Sequence, residues 1–165
     1  MEQKIQIMGF STYVDDITGL IRKMDNLGGN SCVIQLLNAD SIADEEHILH
    51  AILQATSAFK RKDNIANDLG LEICVRASGQ RQISKAINIL GLKDGLNKIC
   101  AITINCNDLV LKELELELGN RNDDVLKVDE NRLKDIYQIT DEEIKTSGNI
   151  TRVMMERTTI LVLET

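Results

Sequence analysis

LEICVRASGQRQISKAINILG, Leu71 to Gly91, is the stretch on whose reading the fold turns. LEICVRAS reads as an apolar strand bounded by turn formers, and ISKAINIL keeps Ile83, Ala86, Ile87 and Leu90 at helical spacing until Gly91 stops it. Read this way, Ser78 and Gly79 open a helix, with Ser78 as N-cap accepting from the backbone N–H of Gln80 or Arg81. Arg76 and Arg81 then flank a helix N-terminus, which disfavours cations by roughly 0.3–1 kcal/mol each. An anion held between them on the free N–H groups resolves the conflict, and a guanidinium fork fits phosphate oxygens. An ordinary solvated turn, its arginines paired to acids such as Glu72, stands beside that reading.

Outward from this stretch, strands and helices alternate. KIQIMGF reads as a first strand, and Val14, Ile17, Leu20, Ile21 and Met24 carry a helix to Gly28. SCVIQLLNA is a second strand, after which Asp40 or Ser41 caps a long helix to about Lys62 with Ile48, Ile52, Ala55 and Phe59 as its buried stripe. NIANDLG is expected to be one helical turn, LEICVRAS the third strand and KICAITIN the fourth. NDLVLKELELELG suits strand and helix, and Glu and Leu propensity favours helix. DENRLKDIY and TDEEIKTSG are short helices, the second with a capping box from Thr140 to Glu143. NITRVMMER is a last helix and TTILVLE a closing strand. The expected fold is α+β, a single domain over residues 1–165 with a mixed β-sheet of about five strands packed with several helices.

The 165 residues can bury an aliphatic core without staples. Aromatics are only 2% of the chain, too few for a row of stacking platforms along single-stranded bases. The net charge of −7 argues against indiscriminate polyanion binding. Yet between Phe59 and Lys85 the bases Lys60, Arg61, Lys62, Arg76, Arg81 and Lys85 outnumber Asp63, Asp68 and Glu72, a local basic patch fit for a selective anion site. The four cysteines form no CxxC pair and read as buried free thiols of a reducing cytosol, with a disulfide or metal role as the alternative. No stretch is long and apolar enough to span a membrane and MEQKIQIMGF lacks a signal-peptide core, so the expected compartment is the cytoplasm.

Along the long helix, His50, Gln54, Ser57 and Arg61 fall on one polar face leading into Lys60, Arg61 and Lys62, either a groove wall for a nucleic-acid backbone or a plain solvent face. His47 and His50 beside Glu46 lack a third ligand in register, so neither metal nor cofactor is expected. No nucleophile and base are placed together, and no catalytic residue is assigned. Val153, Met154 and Met155 are adjacent and cannot all face inward from one helix; methionine suits an adaptable contact surface, and core filling beneath the sheet stands equally beside that reading.

At RASGQRQISKAI, preceded by AFKRKDNIANDLGLEIC, the chain resembles the PRPK-binding-protein family, the small regulatory subunit of the KEOPS complex. The likeness extends to GLKDGLNKICAI, DDVLKVDENRLKDIYQITDEEI and VMMERTTILVLE, and is poor over residues 107–122, whose role stays open. The resemblance implies a non-catalytic subunit that binds and stimulates the complex's small atypical kinase. It further implies recruitment of tRNA through the 3′ CCA end for threonylcarbamoyladenosine (t6A) modification, with other KEOPS subunits as indirect partners and no membrane. Carried onto this sequence, the RNA-contacting set is Arg76, Ser78, Gly79, Arg81 and Gln82, followed by Lys60 and Asn64; His50 and Gln54 come from the helical-face reading. The kinase contact is expected at Val153 and Met154. Two other readings stand beside it: a kinase-binding scaffold without tRNA affinity, and a small phosphometabolite-binding enzyme.

Overall fold

A computed structural model describes residues 3–164, with side chains to Leu161. The chain packs as two compact units, Met1–Ala39 with Gly91–Val125, and Asp40–Leu90 with Leu126–Thr165. The fold is α+β.

The first unit holds the sheet. β1 (Ile5–Val14), β2 (Val33–Asn38) and β3 (Gly95–Ile104) lie in the order β1-β3-β2, both pairings antiparallel. Met8 faces Ala101 and Phe10 faces Ile99 across the β1–β3 pair. With Ile34 and Leu36 they form one apolar face, covered by Leu20 and Met24 of α1 (Ile17–Gly28) and by Leu114 and Leu118 of α5 (Asp108–Leu118). Period 2 on the strands and a one-sided stripe on each helix meet in that layer. Gly9 has a steric reason to be glycine: a Cβ there would stand 2.6 Å from the Asn122 carbonyl oxygen. The ambiguous NDLVLKELELELG is helical, capped by Asn107, whose side chain accepts from the Val110 N–H.

The second unit is helical: α2 (Glu45–Arg61), α3 (Leu69–Ser78), α4 (Ile83–Leu90), α6 (Glu130–Tyr137), α7 (Asp141–Ser147) and α8 (Ile150–Glu164). Asp44, rather than Asp40 or Ser41, caps α2; residues 39–41 form a separate 3₁₀ turn. The capping box of Thr140 and Glu143 opens α7 as expected.

The described residues therefore hold three strands instead of about five, and an antiparallel sheet instead of a mixed one. LEICVRAS is helix α3, capped at Asp68, with Gly70 inside the helix instead of ending one before it. Glu72 through Ser78 are all buried, as α3 packs against α2, α4 and α8. A helix enclosed on every side carries no one-sided stripe, so its apolar run imitates a buried strand. TTILVLE continues α8. Thr158 and Thr159 would suit a strand, yet their hydroxyls donate to the Met154 and Met155 carbonyls one turn back, and Thr158 also reaches the Arg76 carbonyl oxygen at 2.7 Å. NIANDLG is a loop whose Asp68 begins α3.

Two of the four cysteines, Cys32 and Cys106, also depart from expectation. Cys32 precedes β2 and Cys106 follows β3, and because Val33 pairs with Ile104 their Cα atoms lie 5.0 Å apart, joined by a disulfide. Cys74 and Cys100 are buried and not part of a disulfide.

Candidate functional site

Every sequence-derived site residue falls in the helical unit. α2 and α3 run antiparallel, because the short loop of residues 62–68 joins the end of one to the start of the other while His47 in the first turn of α2 meets Ala77 near the end of α3.

The structure rearranges the RASGQR segment. Ser78 ends α3 instead of opening a helix, and Gly79 caps it in the left-handed conformation, φ 67°, with its N–H returned to α3 carbonyls. The Gln80 N–H does reach the Ser78 hydroxyl, at 3.3 Å, but Ser78 is only 1% exposed. Arg76 thus sits in the last turn of a helix, where the dipole favours a cation. It is fully buried. Its Nε donates to Glu72 Oε2 at 2.8 Å, and Glu72 Oε1 accepts from the Ile65 and Ala66 N–H groups at 2.8 and 2.7 Å. Nη1 and Nη2 are buried with no hydrogen-bond partner among the described residues. Neither Arg76 nor Ser78 presents a surface to an RNA phosphate, which corrects their placement in the contact set.

Arg81 and Gln82 are exposed just ahead of α4, and Gly79 is half-buried beside Arg157. Lys60 is exposed at the end of α2, followed by Asn64, whose amide donates to the Ala66 carbonyl oxygen at 2.8 Å. These polar positions form two groups at opposite ends of α3, separated by the length of a ten-residue helix, roughly 15 Å. His50 and Gln54 are half-buried on α2 between them; the His50 Nε2 meets the Thr159 hydroxyl at 2.8 Å.

Val153 and Met154 are 2% and 0% exposed, in a cluster with Leu133, Tyr137, Ile139 and Ile150. They fill the core of the helical unit and do not form a contact surface. Of the three adjacent residues Met155 is the one that reaches outward. It joins His50, Arg152, Glu156, Thr159 and Ile160 around a groove of about 440 Å³ along α2 and α8. Ile160 is 48% exposed; outside the groove lining, Leu49 is 41% and Leu53 50% exposed on α2, one helical turn apart. Sequence reasoning missed Leu49, Leu53 and Ile160. Leu49 and Leu53 at i, i+4, off the stripe of Ile48, Ile52 and Ala55, were the available signal.

His47 was also missed as a structural link. Its Nδ1 accepts from the Ala43 N–H at 3.0 Å and its Nε2 donates to the Ala77 carbonyl oxygen at 2.9 Å, which defines the neutral tautomer and leaves no nitrogen for a metal. Burial lowers its pKa to about 4. Asp44 completes this corner: Oδ1 takes the His47 N–H at 3.0 Å and Oδ2 the Thr151 hydroxyl at 2.8 Å, tying the start of α2 to the first turn of α8.

Comparison with known proteins adds an independent finding. The family model described as kinase binding protein CGI-121 matches residues 13–161. The regulatory protein Cgi121 of Methanocaldococcus jannaschii is 41% identical over 132 residues, covering 79% of this chain and 83% of that protein. The KEOPS complex subunit Cgi121 of Pyrococcus abyssi is 30% identical over 114 residues, covering 69% of this chain and 64% of that protein. With the match running through both units and nearly end to end, the chain belongs to the CGI-121 family.

Proposed function

We propose that this protein is a regulatory KEOPS subunit that binds and stimulates the complex's small atypical kinase, and that it recruits tRNA by the 3′ CCA end for t6A modification, with no catalysis of its own. The observation that carries the kinase half is the apolar groove along α2 and α8, where Met155 and the exposed Ile160 lie with His50 and Thr159 between Arg152 and Glu156, while Leu49 and Leu53 are exposed on α2. Exposed apolar anchors within a polar rim are the usual make-up of a protein–protein contact. Replacing Leu53 and Ile160 together with Glu is expected to weaken kinase binding by at least about 30-fold, the effect of losing one hot spot. Isothermal titration measures it, and circular dichroism should show an unaltered fold. Undiminished affinity would move the kinase contact elsewhere.

The tRNA half rests on Lys60, Asn64, Arg81 and Gln82. Two polar groups separated by the length of α3 suit an extended single strand better than one bound phosphate, and guanidinium planes substitute for the scarce aromatics. Lys60→Glu with Arg81→Glu is expected to reduce tRNA affinity at least tenfold in a gel shift at constant salt, and removal of CCA to do the same. Equal binding of trimmed and intact tRNA would reject end recognition. The burial of Arg76 favours a second reading, a kinase-binding scaffold without tRNA affinity, whose signature is a kinase complex with no shift of tRNA at all.

A further inference from the structure

We propose that the Cys32–Cys106 disulfide is a redox-sensitive clamp on the sheet unit, opened by a dithiol reductant and closed by a disulfide oxidant, and that its opening loosens the β2–β3 end without unfolding the helical unit. The placement carries the proposal. The bond lies where two paired strands end together, next to Val33 and Ile104, and it ties four elements at one point. Cys32 follows the turn that ends α1, with its N–H on the Gly28 carbonyl oxygen at 3.2 Å. Cys106 immediately precedes Asn107, the N-cap of α5. The residues joined are 74 apart in sequence, so the cross-link removes a large part of the freedom of the unfolded chain.

The two cysteines are unequally buried. Cys32 is half-buried and Cys106 is 3% exposed. Cys74 and Cys100 are buried, and burial pushes the Cys74 thiol up to about 12, so neither competes as an exchange partner. An incoming thiolate attacks the Cys32 sulfur and breaks the S–S bond. Cys106 leaves as thiolate and takes a proton from water. The reductant's second thiol then attacks its own sulfur in the mixed disulfide and expels the Cys32 thiolate, which is protonated in turn. Two electrons and two protons pass from the dithiol, which becomes a cyclic disulfide. A disulfide oxidant such as oxidised glutathione runs the exchange in reverse.

The test uses the full chain after incubation with oxidised glutathione, before and after dithiothreitol. Alkylation and mass spectrometry should find Cys32 and Cys106 blocked in the first state and reactive in the second. Reduction should lower Tm by about 10 °C. Hydrogen exchange should lose protection at residues 33–36, 102–104 and 107–112 and keep it in α2 and α3. Cys32→Ser with Cys106→Ser should match the reduced protein and no longer respond to dithiothreitol; if that variant does not fold, the reduced wild type supplies the same comparison. Two alkylatable thiols after glutathione treatment overturn the proposal, as does a Tm shift under 2 °C on confirmed reduction or protection lost equally from α2 and α3.

Discussion

Glu72→Ala is expected to be the most damaging single substitution in the helical unit, lowering stability by about 4 kcal/mol or more. It leaves the fully buried Arg76 guanidinium without its ionic partner Glu72, a defect of about 3–5 kcal/mol in comparable buried pairs. It also strands the Ile65 and Ala66 N–H groups that share Glu72 Oε1, each bond of that kind adding about 1–3 kcal/mol when the buried donor is left unmet. Arg76→Met should cost less, about 1–3 kcal/mol, because Glu72 keeps its two amide donors and the unpartnered Nη1 and Nη2 disappear with the guanidinium. Urea unfolding of the two variants beside the wild type gives the order; a larger loss for Arg76→Met would show that the amides do not hold the carboxylate. Against a total of roughly 5–15 kcal/mol for a typical domain, Glu72→Ala should leave little folded margin. The same burial spoils Arg76→Glu as a probe of tRNA binding. It places a second carboxylate beside Glu72, and any loss of binding would report unfolding; Arg81 and Lys60 carry that test instead.

The second large effect is acid sensitivity through His47. Its folded pKa of about 4 lies below the ordinary 6.5 because burial opposes the charged ring. Above pH 6.5 neither state holds the proton and His47 adds no pH dependence. As pH falls from 6.5 to about 4 the unfolded chain takes up a proton that the folded one refuses, so stability declines with falling pH. Below about 4 both states are protonated and the loss levels off. At 1.36 kcal/mol for each pH unit the decline totals on the order of 3 kcal/mol. Chemical denaturation at pH 7.5, 6, 5 and 4.5 should trace it, and His47→Gln, which keeps one donor and one acceptor for Ala77 and Ala43, should flatten that part of the profile. A wild-type profile already flat across this window would show that the ring protonates in place.

Elements with a one-sided pattern were legible in the sequence. α1 and α2 show their stripes and stops, although Val14, expected in α1, closes β1; Thr140 and Glu143 announce α7, and β1 and β2 read as strands because their apolar residues meet a helix layer on one face. The two helical stretches misread as strands share one cause, which is contact with neighbours distant in sequence. α3 is buried all round, and the threonines of α8 are satisfied by carbonyls in α3 and in α8 itself. The cysteine pair was hidden for a similar reason: only the β2–β3 register brings Cys32 to Cys106. In the candidate site, Arg81, Gln82 and Lys60 stand on the surface as their types and positions suggested, whereas Arg76 and Ser78 were drawn inward by the misread strand. Charge alone does not show whether an arginine faces water or a glutamate four residues earlier on the same helix.

The order β1-β3-β2 bears on how such a chain matures on the ribosome. Both outer strands leave the exit tunnel before the central one, and α2, α3 and α4 are made between Asn38 and Gly95. Until β3 emerges, β1 and β2 have no hydrogen-bonding neighbour to lie against, and every ladder bond in the sheet waits for a partner far along the chain. Sheet assembly is therefore a late, long-range closure, slow by the measure of loop entropy, and the waiting strands are where a chaperone or a stray copy would find unsatisfied backbone.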